Sequence, residues 1–104
     1  MQIIVVGCGK VGRALIAQLS REDNNVTVID TNADVVRDVS TLYDIMGVVG
    51  NGTSYTVLQE AGLESADMVI ALTESDEVNL LTCVIARRKA NCHTIARVRN
   101  PVYA

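Results

Sequence analysis

Short apolar runs alternate along the chain with amphipathic segments. Ile3-Ile4-Val5-Val6 has the length and β-branched content of a buried strand, and the next segment places Val11, Ala14, Leu15 and Leu19 on one helical face. Val26 to Ile29 reads as a second strand. Thr31, with Asp34 three residues on, has the form of a helix cap, opening a helix that carries Val35, Val36, Val39 and Leu42. Asp44 to Val49 reads as a third strand, and Gly50-Asn51-Gly52 is turn chemistry. A helix from about Thr53 should end at Gly62, a residue type favoured just past a helix end. Met68 to Leu72 reads as a fourth strand, Asp76 to Lys89 as a fourth helix and Thr94 to Val98 as a fifth strand, with Pro101 after everything regular.

Alternating strands and helices with short links imply an α/β domain whose parallel sheet is covered on both faces. Right-handed crossovers leave few topologies, and the expected one is a Rossmann-like, doubly wound sheet of order 3-2-1-4-5. Its crevice should lie at the carboxyl ends of the first and fourth strands, where the winding reverses. Composition fits this picture: 49% of the 104 residues are hydrophobic, while Phe and Trp are absent. The core must therefore be aliphatic. This length is enough for one domain, not for a coenzyme domain plus a substrate domain.

No apolar stretch approaches the roughly 20 residues of a membrane span, so a soluble protein is expected. A net charge of −3 argues against nucleic acid as the main partner. The charge is uneven, however, since Arg87, Arg88, Lys89, Arg97 and Arg99 lie close together near the C-terminal end. Cys8, Cys83 and Cys92 form no CxxC pair, so neither a disulfide framework nor a zinc site is indicated, and a reducing cytoplasm is the simplest home for them.

Gly7, Gly9 and Gly12 form G-x-G-x-x-G between the first strand and the first helix. In that setting the first glycine permits a tight turn, the second lets a pyrophosphate approach the backbone, and the third lets helix and strand pack closely. The whole loop Gly7-Cys8-Gly9-Lys10-Val11-Gly12 is therefore expected to line a dinucleotide, with the helix N-terminus completing an anion site. Asp30 ends the second strand, placed to accept hydrogen bonds from the adenosine ribose hydroxyls and to repel the 2′-phosphate of NADP, the alternative being that it only begins a turn and caps the next helix.

Other positions are open to more than one reading. Lys10 is either a phosphate contact or a surface lysine. Asn51 and Gly52 either border the adenine or only make a turn, and Thr73 with Glu74 fall at the switch point, where a cofactor contact is expected, with a plain helix cap as the alternative. Arg97, read as lying inside an apolar strand, needs an anionic partner, either a ligand phosphate or a carboxylate such as Asp67 or Asp76. Cys8 is either a thiol activated by the helix N-terminus or a small residue filling a tight turn.

Catalytic groups are harder to find. There is no Tyr-x-x-x-Lys, since Gly47 stands four residues after Tyr43 and Gln59 four after Tyr55. The chain has a grip for a coenzyme but no evident acid or base with which to use it, so no enzyme is expected.

The stretches "IIVVGCGKVG", "VTVIDTN", "VVGNGTSYTVLQEAGLESADMVIALTESDEVNLL" and "TIARVRNP" resemble the TrkA N-terminal domain family, also called KTN or RCK N-terminal domains, over essentially the whole chain. The resemblance implies a cytoplasmic regulatory domain, peripheral on the inner face of the membrane, serving a potassium-translocating subunit. It implies NAD or NADH at the glycine loop, Asp30, Thr73 and Arg97, with ATP or ADP as alternatives, and a homo-oligomer (dimer or tetramer) in the intact regulator. It also implies that the chain is an excised part of a longer protein, lacking a last strand and crossover helix. A different class of protein, the coenzyme half of an oxidoreductase without its catalytic domain, is the alternative.

Overall fold

The computed structural model describes residues 1–103. Five strands, β1 (Gln2–Val6), β2 (Asn25–Asp30), β3 (Met46–Val49), β4 (Met68–Ala71) and β5 (His93–Ala96), form one parallel sheet of order 3-2-1-4-5, as expected. Four helices connect them: α1 (Lys10–Arg21), α2 (Ala33–Tyr43), α3 (Tyr55–Glu60) and α4 (Asp76–Lys89). Short 3-10 turns follow α3 (Leu63–Ser65) and β5 (Pro101–Tyr103).

Alternation along the central strands divides the core in two. On one face, Ile3 and Val5 of β1 join Val26 and Val28 of β2 beneath Ile16 of α1 and Val36 and Val39 of α2. On the other, Ile4, Val6 and Ile29 meet Leu58 of α3 and Cys83 and Ala86 of α4. β1, paired on both sides, is buried from Ile3 to Val6, whereas the edge strands β3 and β5 are largely exposed or half-buried.

Several local details depart from the sequence pattern. α1 turns Gly12 and Ile16 inward, with Leu15 and Leu19 half-buried, and leaves Val11 and Ala14 exposed. Apolar spacing located this helix and set Leu15 and Leu19 against the core, but missed Gly12 and Ile16, because the close approach of Gly12 to the Gly7 carbonyl fixes the rotation. Leu42 is likewise exposed. The cap of α2 is Asn32, not Thr31: its side chain accepts the N–H groups of Asp34 and Val35. The shift has a cause, since the Asp30 carboxylate takes the Asn32 N–H at 2.9 Å and turns the chain there.

β3 begins at Met46 because Asp44 adopts a left-handed conformation (φ 52°) at the end of α2. Ser54 caps α3, and Gly62, left-handed at φ 92°, stands just past the C-cap Ala61 as expected and leads into the 3-10 turn. β4 ends at Ala71, one residue early. β5 starts one residue early and stops at Ala96, so Arg97 lies beyond the strand and is only half-buried.

Candidate functional site

At the carboxyl ends of β1, β2 and β4 lies a cleft of about 460 Å³. Of the residues expected from the sequence, Gly7, Cys8, Gly9, Asp30, Asn51, Gly52, Thr73 and Glu74 line it. Lys10, Val11, Gly12 and Arg97 do not.

The three glycines have distinct roles. Gly7 has φ +104°, and a Cβ there would meet the Leu72 carbonyl carbon and the Thr73 nitrogen at 2.8 Å, so the loop is pressed against the end of β4. A Cβ on Gly12 would lie 2.1 Å from the Gly7 carbonyl oxygen, so α1 packs directly on the loop. Gly9 is different. Its φ is −70°, open to any residue, and the nearest atom to a Cβ there would be Glu74 Oε1 at 3.8 Å. The fold therefore makes no demand for glycine at position 9, whereas a bulky anion approaching the backbone does.

Gly9 is also the N-cap of α1 and brings no side-chain oxygen to the first turn. By contrast α2, α3 and α4 are capped by Asn32, Ser54 and Ser75. Among the described residues, α1 alone of these helices points an uncapped N-terminus, with its free N–H groups and positive dipole end, at the cleft.

Asp30 ties the second strand to this loop. Its Oδ2 accepts the Cys8 N–H at 2.8 Å and its Oδ1 accepts the Asn32 N–H at 2.9 Å. Each oxygen keeps acceptor capacity for a further donor. The Cys8 N–H, however, is already engaged and cannot serve an anion.

Cys8 itself is buried, and burial first, then the Asp30 charge, push its thiol up to about 11 despite opposition from Arg13. Burial and the Asp30 charge together disfavour the thiolate, which supports the reading of Cys8 as a small space-filling residue. Alkylation of Cys8 at about pH 8 is expected to run at least about a hundredfold slower in the native chain than in the unfolded one, following the smaller thiolate fraction. Peptide mass mapping after timed labelling checks this, and equal rates in both states would restore a reactive thiol.

Thr73 is turned into the protein. Its hydroxyl lies 2.7 Å from Asn79 Oδ1 and accepts the Ser75 N–H at 3.2 Å, while its backbone N–H donates to the same Asn79 oxygen at 2.8 Å. Asn79, fully buried, also donates from Nδ2 to the carbonyl oxygens of Thr73 at 3.1 Å and Arg97 at 2.9 Å. It locks the cleft-lining loop to the end of β5, and by capturing the Arg97 carbonyl it ends that strand. Sequence reasoning missed Asn79; its signal was a polar residue on the helical stripe it shares with Thr82, Cys83 and Ala86. Thr31, Asn32, Ser75 and the apolar Val6, Ile29, Val35, Leu72 and Val78 also line the cleft without having been singled out. They sit at strand and helix ends, where periodicity marks core but not cavity.

Arg97 forms no ion pair among the described residues. Asp67 instead accepts the Gln2 N–H, and Asp76 accepts the backbone N–H groups of Arg99 at 3.0 Å and Asn100 at 2.7 Å. The paired anion demanded by a buried arginine is not needed, because Arg97 is not buried in the strand. The bonds from Arg99 and Asn100 are the main reason that the Asp76 carboxyl is held below the ordinary carboxylate range.

A folded-state value below the unfolded one gives stabilisation that is complete above the unfolded pKa, about 3.9 for aspartate, and lost as pH falls through the folded value. Hydrogen exchange at Arg99 and Asn100, corrected for intrinsic rate, should therefore accelerate below about pH 4 and stay flat from about pH 5 to 7. Acceleration confined to the higher range would contradict the Asp76 assignment.

A parallel sheet of order 3-2-1-4-5, with a glycine loop and an uncapped helix end at its switch point, defines a Rossmann-like domain of the nucleotide-binding type. Within that class the chain belongs to the TrkA-N domain family, whose model matches residues 3–104. It is 47% identical to the Trk system potassium uptake protein TrkA of Halomonas elongata, over 99% of this chain and 23% of that protein. Its fold superposes on the TrkA-N domain of the inner membrane protein ybaL from Escherichia coli with a TM-score of 0.83 and 26% identity, covering 90% of this chain and 69% of that one. The GsuK channel bound to NAD gives a TM-score of 0.84 at 27% identity, covering 98% of this chain and 18% of that one. Among the described residues no helix is long and apolar enough to cross a membrane.

Proposed function

We propose that the cleft binds a dinucleotide, NAD or NADH, with ATP and ADP as competing adenine nucleotides. The domain is the sensing part of a longer potassium-uptake regulator, at work on the cytoplasmic face of a membrane transporter. The observation that carries this is the uncapped N-terminus of α1 above Gly9, a position where the fold itself has no use for glycine. Free N–H groups of the first turn take the pyrophosphate, and Asp30 at the cleft floor takes the ribose hydroxyls through its remaining acceptor capacity. Asn51 and Gly52 border the adenine, and Thr73 and Glu74 bound the far wall. The structure of GsuK bound to NAD supports the choice of ligand, and the TrkA relative supports the potassium system.

The ligand acts here as a signal and not as a reactant: binding biases the packing of paired domains in a homo-oligomer, by no more than its differential affinity for the arrangements. Calorimetric titration with NAD, NADH, ATP and ADP tests the binding. Potassium flux in vesicles carrying the intact regulator and its transporter tests the signal. Identical flux with each nucleotide at saturation would leave the cleft a structural relic.

A further inference from the structure

Two asparagines, Asn32 and Asn51, line the cleft on either side of Asp30. Asn32 follows the end of β2. Asn51 lies in the loop after β3, which is tied to β2 because the Gly50 N–H donates to the Asp30 carbonyl at 3.0 Å. A ribose held by the Asp30 carboxylate therefore directs its base toward these two loops. Their amides are turned the same way. The Asn32 Oδ1 accepts the N–H groups of Asp34 at 3.0 Å and Val35 at 3.2 Å. The Asn51 Oδ1 accepts the Thr53 N–H at 2.9 Å and the Thr53 hydroxyl at 2.8 Å. A backbone N–H can only donate, so each oxygen must face the protein and neither amide can flip. The oxygens are taken by the helix cap and the turn, while neither Nδ2 donates to any group among the described residues. Beside them the Thr31 hydroxyl can act as donor or acceptor.

We propose that Asn32 and Asn51 read the base of the ligand through its acceptor atoms, so that the cleft takes 6-oxopurine nucleotides as well as adenine ones, and takes the hypoxanthine form more tightly. This rests on the nucleotide reading of the cleft and adds two residues that set specificity within it. Adenine carries the N7 acceptor beside an amino donor at C6, whereas a 6-oxopurine offers two adjacent acceptors, N7 and O6. Against two amide donors, adenine satisfies one and turns its own amino group toward the other. The 6-oxopurine satisfies both.

The test is calorimetric titration of NAD and its hypoxanthine analogue into the unmutated chain and into Asn32→Asp and Asn51→Asp. Aspartate keeps the oxygen that caps α2 or closes the turn, so the fold should hold, and thermal melting checks this. The two ligands carry the same charge, so repulsion by the new carboxylate cancels in the ratio of their affinities. The analogue should bind the unmutated chain about twofold to tenfold more tightly than NAD, the equivalent of one neutral hydrogen bond. In each variant an acceptor for the adenine amino group replaces the amide donor, and the ratio should fall to about one or below. A ratio of one or less in the unmutated chain, or a ratio unmoved by both variants, would overturn the base selection while leaving nucleotide binding intact. If the unmutated chain binds neither dinucleotide, the nucleotide reading itself falls, and the selection with it.

Discussion

Replacing Gly12 with alanine is expected to destabilise the domain by about 3 kcal/mol, the upper end of the usual range for overpacking. The new Cβ would stand 2.1 Å from the Gly7 carbonyl oxygen, a backbone atom that cannot rotate aside. Gly7 is itself pinned, by its N–H to the Ile29 carbonyl at 2.8 Å and by contact with the end of β4. The strain must therefore lift α1 from β1 or distort the loop, and with it the burial of Ile16. Urea unfolding monitored by circular dichroism should show a lower midpoint with an unchanged slope. Gly9→Ala is the contrasting case. With a φ of −70° and open space around the added methyl, stability should stay within about 0.5 kcal/mol, while dinucleotide affinity falls about tenfold or more as the methyl meets the pyrophosphate. If Gly12→Ala proves as stable as the parent, the close packing of α1 on the loop is wrong.

Asp30→Ala is expected to lower NAD affinity by about tenfold to a hundredfold, the equivalent of about 1.5–3 kcal/mol for hydrogen bonds to a charged group. Two effects combine. The ribose hydroxyls lose a charged acceptor, and the Cys8 and Asn32 N–H groups lose the carboxylate that holds the loop in place. The unmutated chain should prefer NAD over NADP, because the 2′-phosphate meets the same carboxylate, and the preference should largely vanish in the variant. Calorimetry with both dinucleotides measures this. Equal affinity for NAD and NADP in the unmutated chain would contradict the assignment of Asp30 to the ribose.

Much of the fold was legible because its signals are local. β-branched runs at Ile3–Val6 and Val26–Ile29 and the boundaries of α4 follow from side-chain period alone, and the parallel order follows from chirality rules that hold for any chain of this pattern. The glycine spacing and Asp30 marked the cleft for the same reason: the chain itself places them at consecutive strand ends. Cap positions were less legible. Thr31 and Asn32 are both good cap residues, and the choice fell to Asn32 through the Asp30 carboxylate, a contact two residues back that competes for the turn.

The sequence by itself determined the elements, their order in the sheet and the placement of a glycine loop beside an acidic strand end, since these depend on residue type and spacing along the chain. Only the tertiary structure decided that Gly12 and Ile16 lie innermost on α1, because that is fixed by the approach of Gly12 to Gly7 and not by the spacing of apolar residues. It alone moved Arg97 out of the strand, through the Asn79 side chain taking the Arg97 carbonyl from 18 positions away. It alone paired Glu74 with Arg99, and it alone raised the Cys8 thiol by burying it. Hydrogen bonds, ion pairs and desolvation between residues distant in the chain depend on where the packed core brings them, and periodicity along the chain holds no record of that.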